Sequence, residues 1–301
     1  MNNANINYTA PTLSTSALLV TLSMGAWGTL KNDKKSAEKI AAENNASAKA
    51  VSTKKDLLPD CDELKAIKSF IAETRQWFNG ISLVWNDAGQ RLMPLSVYTD
   101  FVADVNAKEA EFWVLVDTLM AAYAQKQYNA QIQLGSLYNP DDYPDTATVR
   151  SKFKFSVDYA PVPESGHFVV DLQGQAKEEL IQQFARNKDS KWAAAMVGVC
   201  EELRESLVKL VGKIDAKDDY VKAGKGGKQV RMYDSLLFNV RKIVDKVRMA
   251  NSIENNADIA AAVDALDGMF SGVSVESLKH NEGARIQVRE GVNNLLSKFD
   301  F

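Results

Sequence analysis

The chain has 301 residues, of which 46% are hydrophobic and 25% are charged, the composition of a globular protein with a substantial core. Its net charge of −3 excludes a global electrostatic attraction to nucleic acid or to an anionic membrane. The longest early apolar stretch, residues 17–22, is too short to span a bilayer, and residues 1–16 lack the Lys or Arg of a secretory signal. We therefore expect a soluble cytoplasmic protein with no membrane association.

The N-terminal half predicts one strand and a pair of long helices. Residues 1–15, rich in Asn and Thr, are expected to form a flexible arm, and residues 16–24 alternate in polarity as a strand does. A helix rich in Lys and Ala is predicted over residues 33–51. Apolar stripes then predict a helix that ends near Gly80 and a longer helix over residues 94–134. These two helices should pack as an antiparallel hairpin.

A β-hairpin is predicted in the middle of the chain, at about residues 152–172. Residues 152–159 alternate with period two, which is typical of a strand, and residues 160–166 contain the turn signals. The return strand is predicted over residues 167–172. The side chains expected to face inward are Phe153, Phe155, Val157 and Tyr159. Because a lone hairpin is only marginally stable in water, we expect strand 16–24 to complete a three-stranded antiparallel sheet.

The C-terminal half has the periodicity of helices. One stripe with a spacing of 4, 3, 4, 4, 3, 4 predicts a helix that extends to about Asp215: Trp192, Met196, Val199, Leu203, Leu207, Leu210 and Ile214. A second helix is predicted from the stripe Leu236, Val240, Ile243 and Val247. The predicted fold is therefore mainly α, with long antiparallel helices and a small three-stranded antiparallel sheet, in a single elongated domain over residues 16–299.

The sequence contains few of the residue patterns that are typical of catalytic or metal-binding sites. Its two histidines and two cysteines lie far apart and show no metal-ligand spacing. Cys61 and Cys200 fall within helical stretches and are expected to be reduced core thiols, with a disulfide as the alternative. Residues 141–145 lack the pattern of an EF-hand loop, which favours a solvated acidic turn over a calcium site.

A glycine–lysine loop at residues 224–228 suggests a phosphate-binding loop but departs from its pattern. A Walker A motif requires Ser or Thr after its lysine, whereas Gln229 follows Lys228. It also requires a strand before the loop, whereas a helix is predicted there. A flexible connection between two helices is therefore favoured, and we expect no cofactor and no enzymatic activity.

Basic residues around this loop and along the following helix form the candidate binding site. The candidate phosphate or partner contacts are Lys222, Lys225, Lys228, Arg231, Arg241, Lys242, Lys246 and Arg248. Single-stranded DNA binding would use them as phosphate contacts, and aromatic side chains on a sheet can stack bases. Phe153 and Phe155 alternate with Lys152 and Lys154, however, and therefore face the other side of the strand, where core packing explains them better.

The order of these features resembles a family of uncharacterised proteins of phages and other mobile elements that carry a domain of unknown function. The resemblance rests on the strand that ends at Trp27, on Leu-Leu-Pro at residues 57–59, on Phe-x-Phe at residues 153–155, and on the helix over residues 234–245. It covers most of residues 16–299. Such proteins are often encoded beside a MoxR-type AAA ATPase and a von Willebrand A-like, cobaltochelatase-like protein. The resemblance implies these two proteins as partners and lends the chain no catalytic residue.

Taken together, these patterns predict a non-enzymatic phage accessory protein in the cytoplasm of an infected or host bacterium. It would act as an adaptor or self-assembling scaffold for an AAA ATPase machine. Long amphipathic helices with leftover apolar surface favour a homo-oligomer. The alternatives are a DNA-associated protein of phage replication or recombination and a structural component of the virion.

Overall fold

The computed structural model describes residues 13–164, 175–223 and 230–298. Within these ranges the chain is mainly helical. The helices are α1 (Leu13–Ser16), α2 (Lys34–Glu43), α3 (Asp62–Gly80), α4 (Tyr98–Leu134), α5 (Thr146–Arg150), α6 (Gln175–Lys222), α7 (Ser235–Glu254), α8 (Ala257–Phe270), α9 (Val275–His280) and α10 (Glu282–Lys298). The strands are β1 (Ala17–Gly25), β2 (Leu30–Asn32), β3 (Lys54–Asp56), β4 (Leu83–Val84), β5 (Arg91–Pro94) and β6 (Lys154–Pro161). None of these helices combines the length and the apolar character that crossing a bilayer requires.

The main sheet has four strands in the order β4–β5–β1–β6, and not the three that the sequence predicts. Strand β5 pairs antiparallel with β1, with Ala17 opposite Pro94. It also pairs antiparallel with β4, with Leu83 opposite Leu92. The prediction missed β4 and β5 because strands of two and four residues are too short to show an alternating pattern.

Strand β6 confirms the first strand of the predicted hairpin, whereas the predicted return strand at residues 167–172 lies outside the described residues. Phe153 and Phe155 are buried, as predicted. The inward placement of Tyr159 was wrong, because this side chain is exposed and packs edge-on against the ring of Tyr98. A second sheet, formed by β2 and β3, pairs Leu30–Asn32 with Lys54–Asp56 and was not predicted.

The described residues divide into two compact units. As far as they are described, unit 1 comprises residues 1–21, 78–101 and 158–301, and unit 2 comprises residues 22–77 and 102–157. The chain passes between the units four times, inside β1, α3, α4 and β6. No linker in the sequence therefore marks a boundary. Residues 13–15 of the predicted arm lie in α1, and the rest of the arm lies outside the described residues.

Unit 1 is built on α6, which packs against α7 and α10, while α8 packs against α7 and α10. Of the apolar stripe that the sequence predicts on α6, Trp192 is partly buried and the other six residues are buried: Met196, Val199, Leu203, Leu207, Leu210 and Ile214. Near the end of α6, the buried carboxylate of Asp218 accepts hydrogen bonds from Arg285 and Arg289 of α10. This network fixes α10 to α6 at a point where apolar packing alone would not specify the register.

Unit 2 contains most of α3 and α4, and the predicted antiparallel pairing of these helices is confirmed. Three contacts show the direction: Glu63 with Lys126 (2.6 Å), Phe70 with Phe112 (6.4 Å between ring centroids) and Trp77 with Lys108 (5.0 Å from Nζ to the ring centroid). Helix α4 ends at Leu134, the predicted position. The buried side of α4 forms the centre of this unit through Phe112, Val116, Leu119 and Tyr123.

Side-chain caps explain where several of the shorter helices begin. A polar residue just before the helix accepts a hydrogen bond from a backbone N–H of the first turn, which would otherwise be left without a partner. These caps are Asp33 for α2, Asp145 for α5, Asn256 for α8 and Ser274 for α9.

Candidate interaction surfaces

Side chains that could hold a metal ion do not gather anywhere in the described ranges: no group of three or more His, Cys, Asp or Glu residues forms a ligand set there. Cys61 and Cys200 are free and buried, and burial raises the pKa of both thiols, so neither resembles an activated nucleophile. His280 is exposed on α9 and lies 3.0 Å from Glu276. His167 lies outside the described residues.

The acidic turn at residues 141–145 has structural contacts for two of its three carboxylates. Asp142 is buried and forms ion pairs with Lys31 (2.5 Å) and Lys55 (2.8 Å), which ties the turn to the β2–β3 sheet. Burial alone would raise the pKa of Asp142, but the two lysines outweigh it and keep the pKa below its usual value. Asp145 caps α5. These carboxylates therefore stabilise unit 2.

The structure gives most of the basic residues of α7 intramolecular partners. Arg241 Nη2 donates hydrogen bonds to two backbone carbonyl oxygens, of Phe270 and Val273, at 3.0 Å each. Lys246 forms an ion pair with Glu202 (2.7 Å). Arg248 forms two ion pairs, with Asp245 (2.8 Å) and with Asp267. A phosphate group would have to compete with these carboxylates and carbonyls.

The remaining predicted contacts differ in their surroundings. Lys242 lies against the end of α3, where a Cβ atom on Gly80 would be 2.6 Å from Lys242 Cε. Lys222 and Arg231 are exposed, and no described residue forms an ion pair with either. Lys225 and Lys228 lie outside the described residues. The structure therefore brings Arg241, Lys242, Lys246 and Arg248 together on α7 but leaves only Lys242 among them without an ionic or carbonyl partner in the described ranges.

Helix α4 carries a solvent-facing stripe of uncharged residues, which we call the α4 face. It consists of Val114, Thr118, Ala121, Gln125, Tyr128 and Ile132, spaced 4, 3, 4, 3 and 4 residues apart. All six are exposed, and Val114, Tyr128 and Ile132 expose 64%, 60% and 66% of their surface. At 100° per residue, the stripe lies on the side of α4 opposite its buried core residues.

The charges close to the α4 face are neutralised within unit 2. From Thr118 to Leu134 the only charged residue is Lys126, whose ammonium lies 2.6 Å from Glu63. Asp117, which flanks the face, pairs with Arg150 at 3.0 Å. A solvated helix surface normally carries many charged side chains, whereas the centres of protein interfaces are depleted of charge and enriched in Tyr. In its lack of charge and its exposed Tyr128, the α4 face resembles the centre of an interface.

The packing beneath α4 holds this face in position. Phe112 contacts the ring of Phe155 at 5.6 Å between centroids, which ties the helix to β6. Tyr123 donates a hydrogen bond from its hydroxyl to the carbonyl oxygen of Pro144 (2.9 Å) and packs edge-on against Trp27. A face presented by a helix that is anchored at several points loses little conformational entropy when it binds a partner.

Unit 1 contains an apolar pocket between four of its helices. Its lining consists of Cys200, Leu203, Arg204, Leu207, Val247, Ile259, Ala262, Val263, Leu266, Leu295 and Leu296. The pocket and its open mouth enclose about 440 Å³. Because its wall offers almost no polar atom, the pocket can receive an apolar group but cannot orient a substrate for acid–base or nucleophilic chemistry.

Sequence reasoning missed both the α4 face and this pocket. The spacing of the α4 face is present in the sequence, but three of its six residues, Thr118, Ala121 and Gln125, are polar or small. The more strongly apolar stripe on the opposite side of α4 therefore gave the clearer signal. The pocket is assembled from helices distant in sequence and leaves no local signal. No protein-family model, no curated protein and no solved structure matches the chain.

Proposed function

We propose that the protein is a non-enzymatic accessory protein that acts as an adaptor or self-assembling scaffold. The α4 face carries this proposal, because it combines exposed apolar side chains with a complete lack of unpaired charge over five turns of a well-anchored helix. The apolar pocket and the buried thiols support the same reading, since neither offers the groups that a reaction would need.

The setting of this function follows from the resemblance described above. The strand that ends near Trp27, the Phe-x-Phe strand and the helix over residues 234–245 resemble features of a protein family of phages and mobile elements. That family is often encoded beside a MoxR-type AAA ATPase and a von Willebrand A-like protein. We therefore place the protein in the cytoplasm of an infected or host bacterium, with this ATPase machine as its partner.

The proposal is tested by comparing three forms of the full chain: wild type, Ala121→Glu and Val208→Glu. Ala121 lies at the centre of the α4 face, whereas Val208 is an exposed aliphatic residue on α6. We expect tagged wild type and Val208→Glu to form an assembly larger than the 33.2 kDa chain or to co-purify with the ATPase from infected cells. Ala121→Glu should lose this behaviour. A monodisperse wild-type monomer that recovers no ATPase would contradict the proposal.

The second candidate, binding of single-stranded DNA, is supported by one observation. Lys222 and Arg231 are exposed on either side of residues 224–229, and Lys242 adds a third cation without an ion pair among the described residues. Such binding would be weak and strongly salt-dependent, because Arg241, Lys246 and Arg248 already have partners. Fluorescence anisotropy with labelled single-stranded DNA at about 50 mM salt tests this reading, since phosphate contacts are strongest at low ionic strength.

A further inference from the structure

The α4 face has the spacing of a coiled-coil seam. With Thr118, Gln125 and Ile132 at the a positions of a heptad repeat, Val114, Ala121 and Tyr128 occupy the d positions. The six residues extend over about 27 Å of helix, at 1.5 Å per residue. A seam of this kind requires a second helix of matching length, and none of the described elements of unit 2 covers it, because all six residues are exposed.

We infer that the α4 face binds the same face of a second copy of the chain, with the two α4 helices antiparallel. This inference rests on the proposed function, because it names the partner of the surface that carries it. The twofold axis would pass at the level of Tyr123, since the two residues of every facing pair lie equally far before and after this position. The pairs are Val114 with Ile132, Thr118 with Tyr128, and Ala121 with Gln125.

The side-chain sizes favour the antiparallel arrangement. Each large residue then faces a smaller or complementary one: Tyr128 lies over Thr118, and Gln125 lies over Ala121. A parallel pair would place Tyr128 against Tyr128 and Ala121 against Ala121, which leaves one layer crowded and another underfilled. The antiparallel arrangement also aligns the helix dipoles favourably.

The charge and hydrogen bonding of the face suit a copy of itself better than a charged partner. A surface that meets its own copy must carry no net charge at its centre, because like charges would face each other across the axis. The α4 face meets this condition. Two of its side-chain donors already have partners within the helix, since Thr118 Oγ1 donates to Val114 O (2.8 Å) and Gln125 Nε2 donates to Asn129 Oδ1 (3.0 Å). Burial at an interface therefore leaves neither donor without a partner.

The first test is the mass of the full chain in solution, measured by light scattering at concentrations up to about 100 μM, where short interfaces associate. We expect wild type to approach twice the chain mass of 33.2 kDa. Ala121→Glu and Ile132→Glu should raise the dissociation constant at least about tenfold, because each buries a carboxylate without a counter-ion in the apolar seam. Val208→Glu, the matched control on α6, should leave it unchanged, and circular dichroism should show native helix content in all forms.

The second test determines the direction of the helices with a short thiol-specific cross-linker. An antiparallel pair places Val114 of one copy beside Ile132 of the other and separates the two copies of Val114 by about 27 Å. A mixture of Val114→Cys and Ile132→Cys proteins should therefore cross-link, whereas Val114→Cys alone should not. Wild type provides the background control, because Cys61 and Cys200 are both buried.

The outcomes separate this inference from the proposed function. A wild-type monomer at every concentration, a dimer that Ala121→Glu leaves intact, or self-cross-linking of Val114→Cys would each overturn antiparallel self-association. If wild type is monomeric but Ala121→Glu loses the co-purified ATPase, self-association is wrong while the adaptor function stands. If the dimer forms as described and no ATPase is recovered, the inference stands and the scaffold form of the function is retained.

Discussion

Removing the carboxylate of Asp218 should destabilise unit 1 by several kcal/mol. The substitution Asp218→Asn removes the carboxylate charge to which both Arg285 and Arg289 donate hydrogen bonds. Arg289 keeps Asp215 at 2.7 Å and is partly solvated, so its loss is small. Arg285, with only 4% of its side chain exposed, keeps only the carbonyl oxygen of Leu278 (3.1 Å). Because a buried charge left without its counter-ion costs about 3–5 kcal/mol, we expect a loss of about 3 kcal/mol or more.

Urea unfolding followed by far-UV circular dichroism measures this loss, and Asp215→Asn provides the matched control. Asp215 also pairs with an arginine, but its side chain is 51% exposed, so its removal should cost only about 0–1 kcal/mol. A combined Asp218→Leu and Arg285→Met variant should recover much of the lost stability, because it leaves no buried charge. The reasoning fails if Asp218→Asn costs no more than Asp215→Asn.

The pH dependence provides an independent check of the same network. Burial alone would raise the pKa of Asp218, but the two guanidinium groups outweigh it and keep the pKa below the usual value of 3.8. A carboxylate with a lowered folded-state pKa stabilises the protein above its unfolded-state pKa, and this contribution is lost as the pH falls through the folded-state pKa. The difference between wild type and Asp218→Asn should therefore stay constant near neutral pH and shrink only below about pH 3.8.

Three further predictions concern unit 2. Phe112→Ala should lower the free energy of unfolding by about 3–5 kcal/mol in urea titrations, because this ring is fully buried; a loss below about 1 kcal/mol would contradict its central position. Asp142→Asn should cost about 3 kcal/mol, since it leaves the nearly buried Lys55 without its anion, whereas the half-exposed Lys31 can be solvated. Because the pKa of Asp142 is lowered, this cost should begin to shrink below about pH 3.8 and be lost as the pH falls through the folded-state pKa, and a cost that does not shrink in acid would refute the ion-pair explanation. Burial raises the pKa of Tyr143 to about 12, so ultraviolet absorption should show a tyrosine that ionises near that pH and is missing from Tyr143→Phe.

The long helices could be predicted because their signal is local. On α6 the apolar residues of the stripe from Met196 to Ile214 repeat at the helical period, and each residue of this stripe is buried in the structure. The end of α4 at Leu134 and the burial of Phe153 and Phe155 were likewise readable, since each depends on a pattern within a few neighbouring residues. Such periodicity states which side of an element will be covered. It does not state what covers it.

What the tertiary structure decided depends on residues far apart in the chain. Lys246 of α7 pairs with Glu202, forty-four positions away, and Asp218 pairs with Arg285, sixty-seven positions away. Neither pairing could therefore be predicted from the sequence. The short strand β5 pairs with the edge of β1, and β4 in turn pairs with β5, so both strands depend on a partner that is distant in sequence. The spacing of the α4 face is present in the sequence, but the exposure of its six residues depends on how α4 packs in the folded chain. A sequence records the period of each element, whereas pairings between distant elements are fixed by packing and charge in the folded chain.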